Sequence, residues 1–263
     1  MLKTPITYYG GKQNLLSEIL PIIPKHQIYT EAFFGGGAVF FAKTPAKSEI
    51  INDANNMVVN FFQVIQTDFE ELKEKIQATP YSRAAYSVAY CIYQMPHLFG
   101  KVEQAWAFYV ATNLGFARKI GSWGYDKEGT HLRSFNRKKA AFDHSIAERL
   151  SNTQIEHNDA NKVILSRDHT DAFHYVDPPY IGSDQGHYSG YSPLQYKTLL
   201  ITLSSLKGKF LLSSYPSLLL DEFIQKRGWH HKSIRKHISA ARKKDGKERQ
   251  HKIEMLVANY SIN

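Results

Sequence analysis

Cysteine is almost missing from this chain: its 263 residues hold one, Cys91. A lone thiol excludes an intramolecular disulfide and a multi-thiolate metal site, and it suits a reducing, cytoplasmic setting. Its neighbours, Ala89-Tyr90-Cys91-Ile92-Tyr93, predict a buried structural thiol. Long apolar runs are also lacking. None approaches the roughly 20 residues of a membrane span, and the opening Met1-Leu2-Lys3-Thr4-Pro5 has no signal-peptide core. A soluble protein without a membrane partner is expected.

Several catalytic signatures are absent as well. Neither Gly-x-Gly-x-x-Gly nor Gly-x-x-x-x-Gly-Lys-Ser/Thr occurs, which argues against a pyrophosphate site of the NAD or ATP kind. Twelve histidines are present, yet no His-Glu-x-x-His spacing and no Gly-x-Ser-x-Gly accompany them. A metal hydrolase and a Ser-His-Asp hydrolase therefore lack support, and no metal is expected.

What the chain does have is unevenly placed charge. Between Lys226 and Lys252 lie 11 Lys and Arg against two acids, and the remaining chain is balanced, 22 against 22. The whole formal excess of +9 thus sits in one C-terminal segment whose tip carries Arg242, Lys243 and Lys244. Such a patch suits a polyanion, nucleic acid above all.

Read in order, Thr7-Tyr8-Tyr9-Gly10-Gly11-Lys12 precedes a helix over 14–20. Residues 28–32 form a strand, Phe33-Phe34-Gly35-Gly36-Gly37 a glycine turn, and Ala38 opens a helix. Strand, glycine turn and helix make a nucleotide-type crossover, here suited to a nucleoside-like ligand without phosphates. A second strand, 48–52, ends on Asp53, 18 residues after Gly35. That spacing suits an acid meeting ribose hydroxyls, and Asp is equally a favoured helix cap. From Ala54 to about Leu150 the pattern is helical, with a helix expected over 138–150. A loop over 115–137 mixes bases and aromatics, among them Arg118, Lys119, Trp123, Tyr125, Arg133 and Arg137. Such a mixture suits phosphate and base contacts.

Strands return at 153–157, before Asn158-Asp159-Ala160, and at 173–176. The latter stops at Asp177-Pro178-Pro179-Tyr180, where two prolines end the strand and stiffen the turn. A polar run of lid-like composition, 182–191, leads to Ser192-Pro193-Leu194-Gln195, a capping-box pattern. A strand over 209–214, a helix over 218–226 and a closing strand pair, 229–234 with 253–260, complete the chain. This order predicts a doubly wound α/β fold with a helical insertion: residues 1–57 and 151–263 form one domain, and 58–150 the other. The glycine turn, Asp53, Asp159 and Asp177 would share the crevice at the strands' carboxyl ends.

Those residues, in that order, resemble the DNA adenine methyltransferase family, in the branch that includes Dam. Tyr9-Gly10-Gly11-Lys12 resembles its N-terminal cofactor motif, and Glu31-Ala32-Phe33-Phe34-Gly35-Gly36-Gly37 its Glu-Pro-Phe-x-Gly-x-Gly segment. Asn52-Asp53 resembles the ribose-binding acid, Asn158-Asp159 the acid facing the cofactor adenine, and Asp177-Pro178-Pro179-Tyr180 the catalytic motif. The resemblance implies a Rossmann-like, S-adenosylmethionine-dependent enzyme methylating adenine N6 in double-stranded DNA, for restriction-modification or as an orphan or phage methylase. It implies cofactor contacts from Tyr9, Gly10, Gly11, Lys12, Phe33, Gly35, Gly37, Asp53, Asp159 and Asp177. Asp177 and the Pro178 carbonyl would grip the amine of an extruded adenine, held by Pro179 and stacked on Tyr180. The 58–150 insertion would recognise the target, and a monomer is expected. Ala32 replaces the family's proline, and 115–137 lacks the Asn-Val-Pro-Phe-Gly run of GATC readers, so that specificity is not implied. Methylation of RNA or of cytosine N4, or a silent nucleic-acid-binding module, are the alternatives.

Overall fold

The structure, a computed structural model, describes residues 2–8, 10–116, 119–125, 127–180, 191–237 and 251–262. Five short β-rich runs pair in parallel: β1 (Ile28–Glu31), β2 (Ser48–Asn52), β3 (Thr153–Glu156), β4 (Ala172–Val176) and β5 (Lys209–Ser214). β6 (His230–His237) and β7 (His251–Ala258) complete the sheet, with β7 antiparallel to both β5 and β6. The strand order is β3-β2-β1-β4-β5-β7-β6. The chain winds outward in both directions from the β1/β4 pair, which makes that pair the switch point where open α/β sheets bind ligands. The expected doubly wound sheet and its closing strand pair are both present.

Side chains alternate along each strand and so feed two cores. Phe173, Tyr175, Leu211 and Leu256 enter one apolar cluster, while Val176, Phe210, Leu212 and Val257 enter the other. The second is covered by α9 (Ala160–Ser166), α10 (Pro193–Ser204) and α11 (Leu218–Arg227). Ser192 and Gln195 form the predicted capping box on α10. The first cluster is covered by α1 (Leu16–Ile19), α2 (Ala38–Ala42) and the helical segment. That segment comprises α3 (Asn56–Thr67), α4 (Phe69–Ala78), α5 (Arg83–Gln94), α6 (Lys101–Leu114), α7 (Thr130–Ala140) and α8 (His144–Leu150). Phe62 of α3 lies 4.8 Å from Phe34 and 6.0 Å from Phe41, so the helices and the sheet share one continuous core. Truncating a ring such as Phe62 would cost about 3–5 kcal/mol.

Three local expectations are corrected. The 115–137 loop ends at Gly129, because α7 takes Thr130–Ala140 and places Arg133, Phe135 and Arg137 on a helix. α7 buries only Phe135 and its N-cap, Gly129, is left-handed with no side-chain cap, so neither apolar period nor capping residue announces it. The single helix expected over 138–150 is two, parted at Ala141–Asp143, where Asp143 caps α8 by accepting from the Ser145 N–H. Cys91 is exposed rather than buried. The buried stripe of α5 is Tyr86, Ala89 and Ile92, and Cys91 falls with the exposed Val88 and Met95 on the other face.

Candidate active site

Five strands end on one side of the sheet, and the residues that follow them line a crevice of about 690 Å³. Gly10, Gly11, Lys12, Phe33, Gly35, Gly37, Asp53, Asp159, Asp177, Pro178, Pro179 and Tyr180 all face it. Tyr9 lies outside the described residues. Glu31, Asn52, Asn158, Asn161, Tyr175, Tyr191 and Tyr215 face it too, and none of these was singled out as a site residue from the sequence.

Asn52 ties the strand ends together. Its amide donates to the carbonyls of Ala32 and Asn158 at 2.9 and 3.1 Å, and its oxygen accepts from the Asn158 N–H at 2.9 Å. One buried side chain thereby sets the spacing of the turns after β1, β2 and β3. Asp53 does the same for the glycine turn, accepting from the Gly35 N–H at 2.7 Å and from the Asn55 N–H at 2.8 Å. Asn55, not Asp53, is the N-cap of α3. Burial pushes the Asp53 carboxyl up to about 6, although both N–H groups pull it down.

The glycines answer to packing as well as to the crevice. Gly35 and Gly37 have φ of 50° and 65°, in the left-handed region. A Cβ at Gly35 would lie 2.8 Å from the Tyr8 ring, and one at Gly37 would overlap the Phe34 ring. Glu31, at the end of β1, accepts from the Tyr29 hydroxyl at 2.7 Å and from the Phe40 N–H at 3.1 Å. Burial pushes its carboxyl up to about 8, with the Tyr29 bond opposing and the Asp177 charge adding.

A buried polar grouping surrounds Asp177. Lys12 Nζ lies 2.6 Å from Asp177 Oδ2 and 3.4 Å from Glu254 Oε1, and donates to the Gly10 carbonyl at 3.0 Å. Burial alone would lower the Lys12 pKa, but the two carboxylates outweigh it and raise it. Asp177 is raised by burial and by Glu254, against the pull of Lys12. The Tyr180 hydroxyl is within 3.2 Å of Asp177 Oδ1, 3.0 Å of Ser213 Oγ and 2.8 Å of Glu254 Oε1. Its ring packs on Tyr215 at 4.2 Å. So Lys12, expected from the sequence to contact the cofactor, here holds the strand-end acid, and the Tyr180 hydroxyl points inward.

Asp159 is exposed and caps α9 through the Lys162 N–H. Near it Asn161 Oδ1 is buried on the crevice wall and has no protein partner. A sequence signal for Asn161 did exist: an amide two residues past a strand-end acid.

Away from the crevice, Trp123 is half-buried, 4.8 Å from Tyr81 and 5.8 Å from Tyr86, and it bridges to Gly115. Tyr125, Arg133 and Arg137 are exposed and Lys119 is half-buried. Arg133 donates to the Glu128 carbonyl at 2.9 Å. Arg118, Arg242, Lys243 and Lys244 lie outside the described residues, as does most of the 182–191 run. Among the described residues no helix is long and apolar enough to cross a membrane, and no cluster of His, Cys, Asp and Glu could hold a metal ion.

Residues 8–238 match the D12 class N6 adenine-specific DNA methyltransferase family. Across 194 residues, 68% of this chain and 29% of the relative, the sequence is 25% identical to modification methylase StsI of Streptococcus sanguinis. Across 184 residues, 65% of this chain and 63% of the relative, it is 27% identical to the type II methyltransferase M1.LlaDCHI of Lactococcus lactis subsp. cremoris. The chain spans less than two thirds of the length of these relatives. A loose likeness links it to the solved precorrin 8w decarboxylase of Methanobacterium thermoautotrophicum, at TM-score 0.37 and 12% identity over 98% of this chain and 95% of that one. With most of its length matched and its motif acids gathered at the ends of a Rossmann-like sheet, the chain belongs to the D12 class N6 adenine-specific DNA methyltransferase family.

Proposed function

We propose that this chain transfers a methyl group from S-adenosylmethionine to the exocyclic amine of an adenine extruded from duplex DNA, at a specific sequence. The observation that carries this is the placing of Asp177, with Pro178 behind it, on the wall of the crevice that also holds the glycine turn, Asp53 and Asp159.

The crevice chemistry favours that cofactor over a nucleotide with phosphates. Its described lining bears the carboxyls of Asp53, Asp159 and Asp177 and one ammonium, Lys12, besides Glu31, which at a pKa of about 8 holds its proton near neutral pH. A polyphosphate would be repelled there, whereas a ligand with a sulfonium and an ammonium would be welcome. The unpartnered Asn161 Oδ1 gives a buried acceptor where an adenine amine would need one. When bound, S-adenosylmethionine supplies a methyl group carried on a sulfonium.

The chain's own residues would then act as follows. Asp53 offers its carboxylate to ribose hydroxyls while it keeps the Gly35 turn in place. Asp159 and Asn161 accept from the cofactor's adenine amine, and Phe33 walls the pocket against Tyr191. Asp177 and the Pro178 carbonyl accept the two hydrogens of the substrate amine, drawing its lone pair out of conjugation with the ring. Pro179 keeps that corner stiff. Tyr180 and Tyr215 offer aromatic faces to the extruded base, which cannot be reached inside the stack. Residues 58–150, with exposed Tyr125, Arg133 and Arg137 and with Lys119 and Trp123 beside them, serve as the target-recognition part. Arg118 and the basic tip, Arg242 with Lys243 and Lys244, contact phosphates.

Tritiated S-adenosylmethionine incubated with the protein and unmethylated duplex DNA tests this. Digestion should return the label as N6-methyladenine. Label only in cytosine or in RNA, or DNA binding without transfer, would overturn it.

A further inference from the structure

Both oxygens of Asp177 are engaged: Oδ2 by the Lys12 ammonium and Oδ1 by the Tyr180 hydroxyl. A carboxylate so held has fewer lone pairs left for a substrate amine than one whose partners have turned to another acceptor. Besides the Gly10 carbonyl that Lys12 also meets and the Ser213 Oγ beside Tyr180, both partners already reach one further acceptor, and it is the same atom. Glu254 Oε1 lies 3.4 Å from Lys12 Nζ, 2.8 Å from the Tyr180 hydroxyl and 2.9 Å from Ser213 Oγ.

Glu254 stands in Ile253-Glu254-Met255-Leu256-Val257, a lone charge in an apolar run, and is 4% exposed. A carboxylate buried there is costly unless it is paired. Its position follows from strand direction. β7 runs against β5, pairing Met255 with Ser214 and Leu256 with Ser213, so the start of β7 returns to the edge where the parallel strands end. Glu254 also lies beyond residues 8–238, the stretch that matches the family.

Charge balance gives the exchange its sense. Freeing Asp177 from Lys12 with no second acid at hand would strand a buried ammonium, which is strongly unfavourable. With Glu254 present, one ammonium moves between two carboxylates by less than the length of a hydrogen bond. Asp177 is left ionised and open towards the crevice.

We propose that Glu254 is a positioning residue: it takes over Lys12 and Tyr180 as Asp177 turns to the substrate amine. This rests on the reading of Asp177 as the acceptor of that amine.

The test uses single-turnover methylation of unmethylated plasmid DNA with saturating tritiated S-adenosylmethionine. Glu254→Gln keeps the shape but removes the charge, and should slow transfer about a hundredfold through misplacement of Asp177. Affinities for S-adenosylhomocysteine and for the plasmid should stay within about twofold of the unsubstituted protein's, as expected when an interaction acts on the rate and not on binding. Glu254→Asp restores the charge one methylene short and should recover about tenfold of the loss. An unchanged rate in Glu254→Gln, a loss seen in affinity instead of rate, or no recovery in Glu254→Asp would each overturn the proposal. Should Glu254→Gln fail to fold, Glu254→Asp carries the test alone, with a rate about tenfold below the unsubstituted protein expected and an unchanged rate contradicting it. Because each result is a ratio to the unsubstituted protein, absence of any adenine methylation by that protein would count against the proposed function, not against the role of Glu254.

Discussion

The crevice and the α7 surface are built on opposite terms. In the crevice every acid is held by named donors: Asp53 by two backbone N–H groups, Glu31 by Tyr29 and Phe40, Asp177 by Lys12 and Tyr180, and Asp159 by the Lys162 N–H. On α7 the two arginines are exposed, Arg133 tied to the turn just before its own helix, while Lys138 and Lys139 turn back onto Asn113 and onto the Gln77 and Thr79 carbonyls. Acceptors that must stabilise developing charge gain from being fixed beforehand, because no reorganisation is then needed at the moment of reaction. Side chains that meet phosphates need reach and charge more than fixed geometry. Substitutions in the crevice should therefore destroy chemistry, and those of the exposed α7 arginines should only loosen binding.

The sharpest way to break the comparison is Asp177→Ala. Methyl transfer should fall by at least about a thousandfold, because an acceptor aimed at the substrate amine is lost, while DNA binding persists. Loss of both would make Asp177 a structural residue. Next comes Asp53→Ala, which removes two charge-assisted hydrogen bonds and the acceptor offered to ribose. Cofactor affinity, read by titration calorimetry, should drop about tenfold to a hundredfold, with a lower melting temperature as the Gly35 turn loosens. An unchanged affinity would place the ribose elsewhere.

Effects on the other region should be smaller. Replacing Arg133 and Arg137 by Ala should weaken binding to every DNA sequence alike and reduce the salt slope by about 0.9 for each phosphate no longer neutralised. Affinity and slope equal to those of the unsubstituted protein would turn α7 away from DNA. A last effect concerns pH. Glu31 has its folded pKa raised from 4.5 to about 8, so the folded state holds its proton more tightly than the unfolded one. Stability from this group is therefore full at low pH and is lost as pH rises from 4.5 through about 8. Glu31→Gln should flatten that part of the melting-temperature curve in scanning calorimetry; an equally steep decline in the variant would mean that Glu31 does not set it.

How far the site could be read in advance depended on strand grammar. Asp53, Asp159 and Asp177 each follow a β-rich run closely, so their place at the carboxyl edge was legible, as was the glycine turn. Glu254 was not, because it is at the edge only through the antiparallel return of β7, and no motif surrounds it. Lys12 and Tyr180 were found as residues but not as partners of one acid. That pairing comes from the packing of an N-terminal turn against strand ends far away in the chain. On the helical side, α7 escaped notice because a helix that buries one aromatic leaves no periodic trace. Cys91 was misplaced because local composition is silent about which face of α5 turns inward.

In the proposed reaction an acid-and-proline corner at the carboxyl edge of the sheet receives a substrate amine beside a bound sulfonium cofactor. A crystal structure of the chain with a sulfonium-mimicking cofactor analogue and methylatable duplex DNA tests it most directly. The expected result is an extruded adenine whose amine lies within hydrogen-bond distance of Asp177 and the Pro178 carbonyl, with the analogue seated over Gly35 and Asp53. An analogue bound away from that crevice, or an adenine still stacked in the duplex, would contradict it.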